Sequence, residues 1–276
     1  MEAKKENGEH VQGYGRGLII EDLDYRYLDA VTDGKDVSNN SSSYAMVSYF
    51  GKVNCAYDEK YLVSGTLRRD ASSRFGNGNN SAIFPSVSAG WRISRENFME
   101  TTSNWLSDLK LRASWGINGN DMIDNSATYS LYYVDMNTGS YNFSGDGKTL
   151  SPGVIKTMSG NNNLKWEQTE QFNIGIDAAF LDNRLGVTMD YFKKKTKDML
   201  IQKPYIAAIG EGGYKWYNAA SMDNNGVEAT ITWHDKINDF NYEVAFNVSY
   251  YHNEITDLPE EVKYTWGGGD LSLIHI

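Results

Sequence analysis

From Phe240 to Tyr250 the chain alternates without a break. Phe240, Tyr242, Val244, Phe246, Val248 and Tyr250 stand against the polar or small Asn241, Glu243, Ala245, Asn247 and Ser249. Successive side chains of an extended strand point to opposite faces, so this stretch builds a strand with one apolar and one polar face. A helix would scatter the same apolar residues around its axis. The pattern returns at Val87, Ala89, Trp91 and Ile93, from Leu109 to Ile117, from Leu185 to Tyr191 and from Val227 to Trp233. Strands are expected near 47–57, 61–70, 83–94, 109–117, 164–180, 184–201, 217–233 and 240–257, with 16–30 and 127–134 as further candidates. The fold class is all-β.

Composition narrows what such strands belong to. Aromatics make up 13% of the chain, with 19 Tyr and 7 Trp, beside 26 Gly and 4 Pro. No apolar run approaches the roughly 18 residues of a membrane helix, which excludes a helical membrane protein. It leaves a barrel open, because a barrel strand is apolar on one face only. The net charge of −10 opposes nucleic-acid binding. The single cysteine, Cys55, allows no internal disulfide. Residues 1–17 lack the apolar segment of a signal peptide. Leu271 to Ile276 read as the in-frame translation of a sequencing-library adapter (CTG TCT CTT ATA CAC ATC). Residues 271–276 are therefore expected to be artefact, and the chain a piece of a longer one.

The connections fall into two kinds that alternate. Asp58–Lys60, Leu181–Asn183 and Asp235–Asp239 are short; 95–108 is compact, with Ser94 placed to cap a helical turn. Between them, 71–82, 118–163, 203–216 and the tail beyond 258 are long or rich in Gly and Asn. Short turns at one end and long loops at the other are the asymmetry of an outer-membrane barrel. A secreted β-sandwich acting as a carbohydrate-binding module shows the same local alternation and stays open as the second reading. Against it stand two strands of about 17 residues expected within 164–201, long for a globular sheet. Aromatics also gather near strand ends (Tyr57, Tyr61, Trp105, Trp216, Tyr217, Trp233, Tyr250 and Tyr251), where interfacial girdles sit.

Four segments carry more than a pattern. The first is Tyr61-Leu62-Val63 leading into RRDASSRFG (68–76), and the second FPSVSAGWRIS (84–94). The third is LKLRASWGINGN (109–120); the fourth is NLKWE (163–167), continuing to Asp190-Tyr191-Phe192 and DMLI (198–201). In order, spacing and wording they resemble the barrel of the SusC/RagA family, TonB-linked outer-membrane proteins (TonB-dependent receptors) of Bacteroidetes, over roughly residues 45–257. Ala71 stands where the family usually has Gly, a source of strain if the backbone there has positive φ. Cys55 stands where an aromatic is common.

The resemblance implies about 8–10 strands of a large antiparallel transmembrane β-barrel of about 22 strands, whose lumen a plug domain closes; no plug domain lies in this chain. It implies a barrel segment at 45–257, the start of an outer loop at 258–270, and barrel strand or loop for 1–44. It further implies a place in the cell outer membrane, surrounded by outer-membrane lipid, and import of oligosaccharides or peptides. The implied partners are a SusD-like surface lipoprotein acting as a lid and the TonB complex as energy source. This segment alone is not expected to transport.

No residues combine into a catalytic, metal or cofactor site, and neither enzymatic activity nor a cofactor is expected. His10, His234, His252 and His275 lie apart without ligand spacing. Gly13, Gly15 and Gly17 precede no helix, and no nucleophile elbow is present. Asp177, Asp190, Glu228 and Glu243 fall on the polar face and are expected to line a wet lumen; Arg or Lys at the lipid midplane would cost about 2–4 kcal/mol. The candidate ligand contacts are aromatics of the long loops, Tyr132, Tyr133, Tyr141, Tyr214 and Trp216, because flat rings with a polar edge suit sugar faces and peptide side chains. Their plainer role is loop packing or an interfacial girdle. Tyr214 and Trp216 are the pair expected at the outer mouth.

Overall fold

The computed structural model describes residues 1–18, 27, 31–76, 78–135, 145, 153–204 and 213–263. Short turns set its register. Asp58 and Glu59 both take left-handed backbone (φ 50° and 51°), and Lys60 N–H donates to Tyr57 O at 3.0 Å. This is a type I′ turn, whose twist matches that of the strands it joins, here β2 (Val31–Tyr57) and β3 (Tyr61–Ser72). Leu181, Asp182 and Asn183 lie at positive φ between β8 (Glu167–Phe180) and β9 (Leu185–Pro204). Asn238 and Asp239 alone join β10 (Tyr214–Ile237) to β11 (Phe240–Asp257), a tighter turn than the five residues expected.

The fourth connection at this end runs from β4 (Ser81–Arg92) to β5 (Leu106–Asn120) through two 3₁₀ turns, Ile93–Arg95 and Asn97–Thr102. Ser94 does not cap them. Its hydroxyl donates to Asp108 Oδ1 at 2.6 Å instead, and neither turn has a side-chain cap. Glu96 accepts from Tyr61 Oη at 2.7 Å and Trp91 Nε1 at 3.0 Å, bonds that hold its carboxyl below the usual carboxylate range. Tyr57 stacks on Tyr61, and Trp105 on Phe180, so aromatics do gather at the short-turn end.

All eight expected strands form. β1 (Glu2–Leu18) is a strand the alternation does not show; it is extended because it pairs with β2 from Glu2–Ser48 to Leu18–Val31. The strand expected at 127–134 is β6 (Leu131–Asp135), hairpinned to β7 (Gly153–Met158). Of the candidate 16–30, only the end of β1 lies among the described residues, apart from Tyr27. The tail's described part holds one helical turn, Glu260–Lys263, and residues 271–276 lie outside them. Ala71 is an ordinary strand residue opposite Val47 and Ser81 without positive φ, so the expected strain is absent.

Among the described residues eleven strands form one sheet, ordered β1-β2-β3-β4-β5-β8-β9-β10. β11 flanks the lower part of β10, and the β6–β7 hairpin meets its upper tip through the parallel bridge Tyr214–Met158. All other pairings are antiparallel. The register turns alternation into two continuous faces. Trp91, Leu111, Ile176, Met189, Ala229 and Val248 neighbour one another across the strands. The adjacent row, on the opposite face, is Gly90, Arg112, Gly175, Asp190, Glu228 and Ser249.

The apolar face is bare: Val63, Leu67, Val87, Met189, Ile231 and Val248 are all exposed. A patch that large needs a cover. From Phe240 to Tyr250 it runs ten residue steps, roughly 34 Å along the strand and about 26 Å in height at a tilt of about 40°. That matches the apolar band of about 25 Å on a membrane barrel. A β-sandwich would pack this face against a second sheet. Among the described residues there is none, nor a plug domain, and the sheet does not close on itself. The sandwich reading is therefore discarded.

Candidate functional site

The polar face carries a charge cluster that single residues do not announce. Arg112 on β5 grips Asp177 of β8 through Nε and Nη2, at 2.7 and 2.9 Å, and reaches Asp190 of β9 with Nη2 at 3.0 Å. To do so it crosses β8 at Gly175, which lies directly opposite both Arg112 and Asp190. A Cβ on Gly175 would stand 2.1 Å from Asp190 Oδ1 and 2.9 Å from Arg112 Nη2. The glycine is thus a gap through which one cation bridges three strands. Asp177 and Asp190 are on the expected face, but they are ion-paired rather than merely solvated. Glu228 sits opposite Asp190, and Glu243 opposite His234.

Beside Arg112 the wall is floored with small and amide side chains. Ser64 and Ser88 share a hydrogen bond of 2.7 Å, and Asn173 donates to Ser114 at 3.1 Å. With Asn54, Leu62, Gly90 and Asp190 they line a hollow of about 500 Å³. Hydroxyls and amides of this kind offer donors and acceptors to a polar guest without a fixed charge.

The second cluster lies at the long-loop end. The β4–β5 ladder stops at Ser86–Gly116, while β5 continues beside β8 to Asn120–Glu167. The wall splits there, and a small apolar core fills the split: Phe75, Phe84, Ile123, Ala127, Leu164 and Trp166. Trp166 packs on Phe75 and Phe84 at ring-centroid distances of 5.3 and 5.4 Å. Gly119 makes room for the Phe84 ring, whose nearest carbon would be 2.0 Å from an added Cβ. Residues 164–166, expected as the start of a strand, serve this core instead.

A polar network pins the loop after β5 to the same place. Asp121 Oδ2 accepts from Tyr44 Oη at 2.9 Å and from Ser72 Oγ at 2.6 Å. Arg74 donates to Asp121 O and Asn125 Oδ1 while its guanidinium lies 4.1 Å from the centre of the Tyr44 ring.

This platform brings together two of the aromatics singled out from the sequence. Tyr214 Oη and Trp216 Nε1 both donate to Asp124 Oδ2, at 3.3 and 3.1 Å, and Asn161 Nδ2 donates to Trp216 O at 2.8 Å. Trp216 also packs against the core. Tyr132 and Tyr133 are exposed on β6, two strands from β10 across the Tyr214–Met158–Leu131 register. Tyr141 lies outside the described residues. Neither alternation nor loop composition marks Asp121, Asp124, Arg112 or Gly175 as site residues, although Arg112 stands inside the motif segment 109–120.

Comparison with known proteins also finds a barrel wall. The family model for the TonB dependent receptor-like β-barrel matches residues 5–272. The chain belongs to this family.

Within it the similarity is to the SusC/RagA type. The TonB-dependent receptor SusC of Bacteroides thetaiotaomicron is 37% identical over 215 residues, 77% of this chain and 21% of that protein. The TonB-dependent receptor P3 of Formosa agariphila is 35% identical over 250 residues, 89% of this chain and 24% of that protein. The structure of the RagAB peptide transporter superposes with a TM-score of 0.80 at 30% identity, covering 94% of this chain and 28% of the matched one. The chain thus spans about a quarter of the length of the relatives it matches, and as a TonB-dependent receptor barrel segment it is placed in the outer membrane.

Proposed function

We propose that the protein containing this segment imports oligosaccharides or peptides across the outer membrane, driven by the TonB complex and served by a SusD-like surface lipoprotein. Transport, not catalysis, is its role. The observation that carries this reading is the superposition on the RagAB peptide transporter along nearly the whole chain. In this reading residues 45–257 are barrel wall, the long loops face outward, and the serine- and asparagine-lined hollow faces the lumen. Deleting the gene in its native host abolishes uptake of the cargo, tested with labelled oligosaccharides and peptides in parallel, and removing TonB does the same. Undiminished uptake of both after deletion contradicts it.

The reading gives Tyr214 and Trp216 a ligand contact at the outer mouth, with Tyr132, Tyr133 and Tyr141 as further aromatic surface. Support comes from the shared hydrogen bonds to Asp124, which hold the two rings in place before a ligand arrives; a rigid aromatic pair loses little entropy on binding. Replacing both by alanine in the full-length protein lowers ligand affinity about tenfold or more. Unchanged affinity and uptake would assign the two rings to loop packing alone.

A further inference from the structure

The outward face of β9 changes character abruptly. Leu185, Val187, Met189 and Tyr191 are followed at the same spacing by Lys193, Lys195 and Lys197, all three exposed. On the opposite face Thr196 is buried and hydrogen-bonded to Thr169, which fixes the lysines' direction. On β9, β10 and β11 the row through Tyr191 (Val227 and Tyr250) is the last apolar one, whereas toward β5 and β4 the next row still holds Phe172, Trp115 and Val87. Lys193 stands one row beyond Tyr191, where the outward face of β9, β10 and β11 turns polar toward the long-loop end.

The charges around these lysines decide what they meet. The row of Lys193 holds Phe172, Asn225 and His252 and no carboxylate. The next row places Lys195 between Glu170 and Asp223, with Glu254 beyond. Glu170 is engaged within the wall, accepting from Trp115 Nε1 at 2.9 Å and lying 3.9 Å from Lys197. One carboxylate oxygen of Asp223, Oδ1, is enclosed and has no hydrogen-bond partner among the described residues. Among the described residues neither Lys193 nor Lys195 has an ion-pair partner. Lysine stems lie along apolar surface while their ammonium groups reach a polar layer, and phosphate-bearing headgroups are the anions found at that depth.

We propose that Lys193, Lys195 and Lys197 form a binding site for the phosphate groups of lipid headgroups with net negative charge in the outer leaflet, which fixes the barrel's depth beside β9. The inference rests on the outward orientation of the long loops and not on the cargo. The test uses the full-length protein in detergent, comparing wild type with the triple variant Lys193→Gln, Lys195→Gln and Lys197→Gln. Thermal unfolding is followed during titration with lipid A, with phosphatidylcholine and with inorganic phosphate. Lipid A is expected to raise the unfolding temperature of the wild type. The concentration needed rises roughly fivefold per lysine removed, on the order of a hundredfold for all three, while unfolding without lipid is unchanged. A triple variant that responds like the wild type overturns the proposal. So does an equal response to phosphatidylcholine, which would mean bulk lipid, or to inorganic phosphate, which would mean a free-anion site. Nutrient uptake by the wild type reports on the transport reading separately, so the two readings fail independently.

Discussion

Gly175 shows how an absent side chain organises charge. It lies between Arg112 and Asp190 in register, and only without a Cβ does the guanidinium cross β8. Gly175→Ala is expected to displace the Asp190 carboxylate and cost about 1 kcal/mol, a modest value because the cluster is open to lumen water. Urea unfolding of the full-length protein measures it. Combined with Asp190→Asn, the alanine adds little further cost if the pair is what it breaks. The acids were legible as polar-face residues from alternation alone, but their partner was not. Arg112 and Asp190 are 78 positions apart and on strands that are not neighbours. For the same reason Tyr214 and Trp216 were legible as loop aromatics, while Asp124, some 90 positions earlier, was not.

Strand and turn placement was largely legible because it depends on local chemistry. The period-two runs became β3, β4, β5, β8, β9, β10 and β11, with ends displaced where tertiary packing took over. Glu167 begins β8 because Leu164 and Trp166 are drawn into the outer core. β1 escaped because its conformation comes from pairing with β2, not from its own pattern. The motif segments that resembled a family hold Arg74, Phe75, Phe84, Gly119, Leu164 and Trp166, the residues that pack the loops onto the split wall. Ser94 illustrates the opposite failure: a local capping rule lost to the nearby Asp108. Turn strain gives a prediction at this scale. Leu181 holds φ of 55° at the β8–β9 turn, which an L side chain with a bulky γ-carbon tolerates poorly. Leu181→Gly is therefore expected to stabilise the full-length barrel by about 1 kcal/mol, seen as a higher urea midpoint. A lower midpoint would mean that the leucine's apolar contacts outweigh the strain.

The whole sheet makes sense only between two solvents. One face exposes valine, leucine, isoleucine and aromatic side chains over about the height of a hydrocarbon layer; the other presents serine, asparagine and paired charges around a hollow. Among the described residues the sheet is open, and its free edges template aggregation in water and are not tolerated in lipid, in keeping with a chain that spans about a quarter of its relatives. Spin labels along β10 test this two-solvent account most directly. They are placed singly from Val227 to Trp233 in the full-length protein, in membranes and with Cys55 replaced by serine. Collision with oxygen, which concentrates in lipid, is expected to peak at 227, 229, 231 and 233. Collision with a water-soluble nickel reagent is expected to peak at 228, 230 and 232. Water access at every position, or the opposite phase, would contradict it.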